Sequence, residues 1–199
     1  MKTQIIISIK IFALLTVLCG IVYPLFITGI AQLVFPVKAN GSLIVLGNKV
    51  IGSELIGQKF DSIIYFSSRP SATDYNPLPS GGSNLGTTSS KLKQLVTDRS
   101  AQYTKFNQLS GSEAIPAEML YASASGLDPH ISPKAALLQV DRIAKARNFS
   151  DQQKQQLIKV VTDLTESPQF SFLGETRINV LVLNLALDKF NNQSLNNKN

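Results

Sequence analysis

The sequence predicts an α+β protein: one N-terminal transmembrane helix followed by a single mixed α/β domain that lies outside the cytoplasm. Residues 11–37 contain no charged residue, and no other stretch of the chain has a comparable length of apolar sequence. The remaining residues combine a hairpin pattern with several amphipathic helix patterns. After the apolar run about 160 residues remain, which is enough for one domain with its own core.

The apolar run between Lys10 and Lys38 is long enough to cross a bilayer. About 20 apolar residues in a helix span a hydrocarbon core of roughly 30 Å. A cleaved secretory signal is the alternative, because Gly29 and Ala31 are small residues of the kind found at cleavage sites. The apolar part of such a signal has about 7 to 15 residues, so we favour a retained membrane helix.

Charge indicates the orientation of this helix. Lys2, Lys10 and the terminal amine precede it without an acidic residue, whereas Lys38 and Lys49 follow it, so a small positive-inside bias favours a cytoplasmic N-terminus. The predicted division of the chain is a cytoplasmic N-terminus at residues 1–10, a transmembrane helix at 11–37, a soluble extracytoplasmic domain at 38–190 and a polar tail at 191–199.

Composition excludes some function classes. The chain carries a formal charge of +6, but its lysines and arginines do not cluster with aromatic residues, so we expect no nucleic-acid partner. It has one cysteine, which rules out a disulfide within the chain. We also expect no metal site, because a single histidine near one carboxylate supplies too few ligands.

Small and polar residues recur every three or four positions in the apolar run. At about 100° per residue they fall within roughly a third of the helix circumference. A face of small residues allows another membrane helix to approach closely. We therefore predict a packing face for a membrane partner, formed by Ala13, Thr16, Gly20, Pro24, Thr28 and Ala31.

Turn and strand signals dominate the next part of the chain. Residues 41–51 predict a hairpin with its turn at Gly47 and Asn48, because both residues accept positive φ. Residues 60–66 predict a short strand. Residues 67–90 are rich in Ser, Gly, Pro, Thr and Asn and predict a long loop.

Helix signals follow. Apolar periodicity predicts an amphipathic helix at residues 89–108. Ser132 as cap with Pro133 at the first position predicts a helix that ends near Arg147, and a capping-box pattern at Ser150 predicts the next one. Residues 179–190 fit both a strand and a helix, and we favour the helix because Asn179 is a good cap.

A serine-glycine loop, residues 80–86, is the first motif that could carry chemistry. Glycines let backbone amides converge on an anion, but the lysine and the spacing of a P-loop are missing. A tight surface turn is therefore the favoured interpretation.

Residues 122–133 hold the only histidine, His130, two positions after Asp128. A serine hydrolase using Ser125 and His130 is one hypothesis, but neither serine of this segment has the glycine-bracketed setting of a nucleophile elbow. We favour local hydrogen bonds in which Asp128 and Ser132 shape the entry to the next helix. The sequence thus predicts no catalytic residue.

Taken together, these motifs resemble one family, the small C subunits of Kdp potassium-transporting ATPases. The similar positions, in order, are Pro24, Tyr65-Phe66, Arg69-Pro70-Ser71-Ala72, residues 80–86, residues 122–133, Leu173-Gly174-Glu175, Arg177 and residues 179–188. Two departures, at residues 87–89 and at Asn148, carry no proposed role.

The resemblance implies a single-pass accessory subunit in the bacterial inner membrane, whose partners are the ion-conducting and ATP-hydrolysing subunits of the same pump. It implies no cofactor of its own, with ATP available through the complex. One implied role is a cap at the external ion entrance that also supports assembly. The other is a helper that raises the ATP affinity of the hydrolysing subunit through nucleotide contacts at Ser80, Gly81, Gly82, Ser83 and Asn84.

Overall fold

A long N-terminal helix begins the chain and is interrupted once by a π-turn. The structure, a computed structural model, describes residues 2–196, and they form two compact units that divide after Ser53. The elements of the first unit are α1 (Lys2–Val17), a π-turn (Leu18–Val22), α2 (Tyr23–Val34), α3 (Pro36–Ala39), β1 (Leu43–Leu46) and β2 (Lys49–Ser53).

The π-turn lies just before Pro24. Proline has no amide hydrogen to donate, so the regular hydrogen-bond pattern of the α-helix cannot pass through it. The Tyr23 amide instead donates to the Leu18 carbonyl, five residues back, and α2 continues with Pro24 in its first turn.

The N-terminal helix has different ends from the predicted 11–37. It begins at Lys2, because residues 5–9 are mostly isoleucine and continue the apolar helix ahead of Lys10, and α2 ends at Val34. Phe35 leaves the helical conformation because it precedes Pro36, which disfavours that conformation in the residue before it. Within the described residues, Lys2–Val34 is the helix long and apolar enough to span a membrane.

A hairpin closes the first unit and confirms the prediction for residues 41–51. β1 and β2 pair antiparallel, with Leu46 opposite Lys49 and a bulge between Ile44 and Val45. Gly47 has φ of 60°, the left-handed conformation that the turn requires.

The second unit is mainly helical, in keeping with the predicted α+β class. Its elements are α4 (Ser90–Asn107), a 3₁₀ turn (Ala117–Met119), β3 (His130–Ile131), α5 (Pro133–Ala146), α6 (Asp151–Asp163), β4 (Ile178–Asn179) and α7 (Val180–Asn196). β3 and β4 form a two-residue antiparallel ladder. α5 lies between α4 and α6 in the packing, and α7 contacts α6. The core combines Phe66 with apolar residues of these helices.

The helix starts follow the capping predictions. Ser132 accepts from the Ala135 amide at 3.1 Å, and Ser150 and Gln153 form a reciprocal capping box. Asn179 caps α7 by accepting from the Val182 amide at 3.1 Å. α7 then continues to Asn196, so the predicted polar tail begins as helix, and residues 197–199 lie outside the described part.

The predicted strand at residues 60–66 is wrong. Phe66 is fully buried without a strand partner, and the Asn184 side chain bonds both its amide, at 2.8 Å, and its carbonyl, at 2.9 Å. Gln139 does the same for Ser67, at 2.7 Å and 3.4 Å. Side-chain amides thus satisfy backbone groups that a neighbouring strand would otherwise pair.

Arg142 lies buried behind this segment. Its guanidinium donates to the side chains of Asn107 and Gln139, both at 2.9 Å, and to the Ile63 carbonyl. The guanidinium also stacks 4.5 Å from the centre of the Phe106 ring. Burial lowers the pKa of Arg142 to about 10, so it remains a cation at neutral pH.

Candidate functional site

The serine-glycine loop packs with its backbone against the segment at residues 123–126. The Gly81 amide donates to the Ser125 carbonyl at 2.9 Å. A Cβ atom at Gly82 would lie 3.1 Å from the Ala124 oxygen, a contact tighter than most side chains tolerate. Two motifs that are far apart in the sequence therefore form one surface.

Gly126 permits this close approach. It has φ of 72°, and a Cβ atom there would lie 2.6 Å from the Thr73 hydroxyl and 2.9 Å from the Gly81 oxygen. The Ser71 hydroxyl donates to the Gly126 carbonyl at 2.8 Å and accepts from the Tyr75 amide at 2.9 Å. The chain around residues 71–75 is thereby tied to the same point.

The side chains available for a ligand in this loop are Ser80, Ser83 and Asn84, which are exposed. Asn84 has φ of 52°, a left-handed conformation that asparagine accepts readily. The Gly81 amide is already used by Ser125, which removes one of the donors that a phosphate would need. Nucleotide binding by residues 80–84 stays a prediction.

Asp128 is the most extensively bonded carboxylate near this loop. Its Oδ2 atom accepts from Arg69 Nη1 at 2.6 Å, and its Oδ1 atom accepts from the His130 amide at 3.0 Å. Burial raises the pKa of Asp128, but hydrogen bonds from His130 and Arg69 outweigh it and lower the pKa to about 2. The predicted turn role of Asp128 is confirmed, and the structure adds Arg69 as its ionic partner.

The hydrolase hypothesis gains no support from these contacts. The Ser125 hydroxyl accepts from the Leu127 amide at 3.1 Å, a local turn bond. His130 Nδ1 lies 3.5 Å from Asp128 Oδ1, and that carboxylate is shared with Arg69. A nucleophile and its base need a mutual hydrogen bond, and the bonds described for Ser125 and His130 serve other partners.

A second polar cluster joins the two ends of the folded unit. Asp188 accepts from Arg147 at 2.8 Å and from the Tyr65 hydroxyl at 2.9 Å, while the Arg147 guanidinium lies 5.0 Å from the centre of the Tyr65 ring. Burial and the hydrogen bond to Asp188 raise the pKa of Tyr65. The sequence placed Tyr65 and Asp188 in separate motifs and gave no signal that they pair.

The small residues of the N-terminal helix keep a common face despite the π-turn. A π-turn holds one extra residue, which rotates the residues after it by roughly 100° relative to a regular α-helix. With that rotation Ala13, Thr16, Gly20, Pro24, Thr28 and Ala31 still fall within about a third of the circumference. The Thr16 hydroxyl donates to the Phe12 carbonyl at 2.8 Å, so the helix itself satisfies it. Their role in packing stays a prediction.

Comparison with known proteins extends over nearly the whole chain. The family model described as KdpC, K⁺-transporting ATPase, c chain, matches residues 5–189. The potassium-transporting ATPase KdpC subunit of Allorhizobium ampelinum is 48% identical, over 91% of this chain and 93% of that protein. The proteins of the same description from Pectobacterium atrosepticum and Geotalea uraniireducens are 48% and 49% identical, each over 92% of this chain, and over 94% and 95% of their own lengths.

Proposed function

The chain belongs to the KdpC family, the c chains of K⁺-transporting ATPases, and we propose that it is an accessory subunit that holds its folded domain at the external ion entrance of the pump. As a subunit of this P-type ATPase it serves potassium transport. In the proposal its partners are the ion-conducting and ATP-hydrolysing subunits, which perform transport and catalysis while this chain supports assembly.

One observation carries the proposal. The helix Lys2–Val34 is followed by the whole folded unit, and the described residues contain no second helix of that kind that would return the chain across a membrane. With the N-terminus in the cytoplasm, one crossing leaves the folded unit outside a bacterial plasma membrane. A domain on that side has access to the entrance for external potassium.

The alternative is that the folded domain raises the ATP affinity of the hydrolysing subunit through residues 80–84. This role needs the loop in the cytoplasm, because ATP is found there. It also needs free donors, and the Gly81 amide already bonds Ser125. Both points favour the proposed role at the external ion entrance.

Site-directed labelling tests the topology. Cys19 is the only cysteine, so a Cys19→Ser background permits single new cysteines at exposed positions on either side of the helix. A membrane-impermeant maleimide should label Asp163→Cys in intact spheroplasts and label Thr3→Cys only after lysis. The reverse pattern would overturn the cap and revive the nucleotide role.

Kinetics of the assembled pump test the alternative independently. If the domain acts only at the external ion entrance, Ser83→Ala should leave the KM for ATP unchanged, as should the control Thr88→Ala. Both side chains are exposed, so their loss leaves the fold intact. Nucleotide contact predicts a higher KM in Ser83→Ala alone.

A further inference from the structure

A cavity of about 770 Å³ opens between residues 59–75 and helix α4 in the second unit. Its volume lies within the range of roughly 300 to 1,000 Å³ typical of sites for small organic molecules. Apolar and aromatic side chains form much of its lining, namely Phe60, Ile63, Tyr75, Tyr103, Phe106 and Met119. Neither the predicted nucleotide contact at residues 80–84 nor the proposed role at the external ion entrance involves this cavity.

The charges that line the cavity are mainly positive. Lys59, Arg69, Arg99 and Lys105 line it together with Asp61 and Asp74. Lys59 pairs with both of these acids, at 3.4 Å and 2.8 Å. Among the residues that the structure describes, Arg99 and Lys105 have no carboxylate within 4.0 Å. Two cations of the lining are therefore left without an anionic partner.

Hydrogen-bond donors are also left over. The Nε atom of Arg69 is buried and has no hydrogen-bond partner, although Nη1 of the same guanidinium bonds Asp128. Arg99 uses Nη1 for the Leu120 carbonyl at 2.9 Å, which leaves further guanidinium donors unassigned. The Nε atom is enclosed by protein atoms, so the donors that a ligand in the cavity could use are those of Arg99.

Hydrogen bonds and a stacked guanidinium hold the walls of the cavity in place. The Tyr75 hydroxyl donates to the Arg69 carbonyl, which fixes the backbone that carries Arg69. The Phe106 ring is backed by the Arg142 guanidinium, and Tyr103 bonds the Ala135 carbonyl at 3.3 Å. A site whose walls are already ordered loses less entropy when a ligand binds.

We propose that this cavity binds a small organic anion, a phosphate ester or carboxylate that carries an aromatic or apolar body. The charged group would pair with the unmatched cations Arg99 and Lys105, because charge-assisted hydrogen bonds favour anionic oxygens. The apolar body would lie against the aromatic lining.

Calorimetric titration of the full-length chain in detergent tests the proposal, with phenyl phosphate as the anionic probe and phenol as its neutral counterpart. We expect saturable binding of phenyl phosphate that weakens as salt rises, and no binding of phenol at the same concentrations. Arg99→Gln and Lys105→Gln should each lower the affinity about tenfold, the loss of roughly one charge-assisted bond. Lys93→Gln, which removes an exposed charge of α4 outside the cavity, should not.

The anion has two natural sources, a lipid headgroup or a free metabolite, which nanodiscs distinguish. If phosphatidylglycerol nanodiscs compete with phenyl phosphate and phosphatidylcholine nanodiscs do not, the lipid is the source; if neither competes, the source is a soluble anion. The proposal is overturned if phenyl phosphate does not saturate, or if Arg99→Gln and Lys105→Gln bind it no more weakly than the control Lys93→Gln does. Thermal unfolding of each variant checks that it is folded.

Discussion

At the scale of single residues, the charge of Asp128 ties the long loop to the segment that leads into β3. Arg69 comes from the long loop, and His130 begins β3. The Asp128 carboxylate is less than a third exposed, so water weakens these bonds only in part. Asp128 therefore gives the fold an acid-sensitive bond.

The pH dependence follows from the lowered pKa of Asp128. Its pKa is about 2 in the folded chain and about 3.9 in an unfolded one, so its stabilisation is fully present above the unfolded value and is lost as the pH falls from about 4 to about 2. Asp128→Asn should reduce the free energy of unfolding at pH 7 by about 2 kcal/mol and by almost nothing near pH 2. Urea unfolding followed by circular dichroism measures both values.

Asp163→Asn is the matched control, because Asp163 is exposed and should change the free energy of unfolding by less than about 0.5 kcal/mol at either pH. A loss in Asp128→Asn that stays the same from pH 7 to pH 2 would contradict the ionic role of Asp128.

At the scale of elements, the segment at residues 63–67 is held by side chains of two helices. Arg142 and Arg147 bond the carbonyls of Ile63 and Ile64, while Asn184 and Gln139 bond the backbone of Phe66 and Ser67. The segment therefore has the hydrogen bonds of a strand without a neighbouring strand.

Asn184→Ala should destabilise this arrangement, because it leaves the buried amide and carbonyl of Phe66 without partners. We expect a loss of about 2 to 4 kcal/mol in the free energy of unfolding, from two unsatisfied groups at about 1 to 2 kcal/mol each. Hydrogen exchange measured by mass spectrometry should show faster exchange at the Phe66 amide. Asn191→Ala, on the same helix, should leave both quantities unchanged. Slow exchange of the Phe66 amide in Asn184→Ala would show that the Asn184 side chain does not protect the Phe66 backbone.

The same segment is a part of the fold that local sequence patterns do not reveal. Helices α5 and α6 are predictable because their caps and periodic apolar residues are local signals. Residues 60–66 have the composition of a strand, but their hydrogen-bond partners come from α5, its C-terminal end and α7, which no local pattern reveals. The Gly81 contact with Ser125 and the Arg69 pair with Asp128 join distant positions in the same way. Residue types in the candidate site were therefore predictable, and their pairings were not.

At the scale of the whole molecule, the N-terminal helix is the part that we expect to meet another membrane subunit. Gly20 lies on the face of small residues, and Gly29 lies off it. A Cβ atom at either glycine would have nothing within 4 Å beyond the helix's own neighbouring backbone, so a side chain added at either position starts in open space. A change in assembly caused by such a residue reports on a partner helix.

Gly20→Leu should therefore weaken association with the pump, whereas Gly29→Leu should not, because only the first fills the face where a neighbouring helix approaches closely. A loss of about 1.4 kcal/mol in packing corresponds to a tenfold weaker complex. The measurement is the amount of each variant that copurifies in mild detergent with a tagged ATP-hydrolysing subunit, normalised to its level in the membrane fraction. If both variants copurify as well as the unmodified chain does, the small residues do not form the packing face. If both are lost, the interface surrounds the helix.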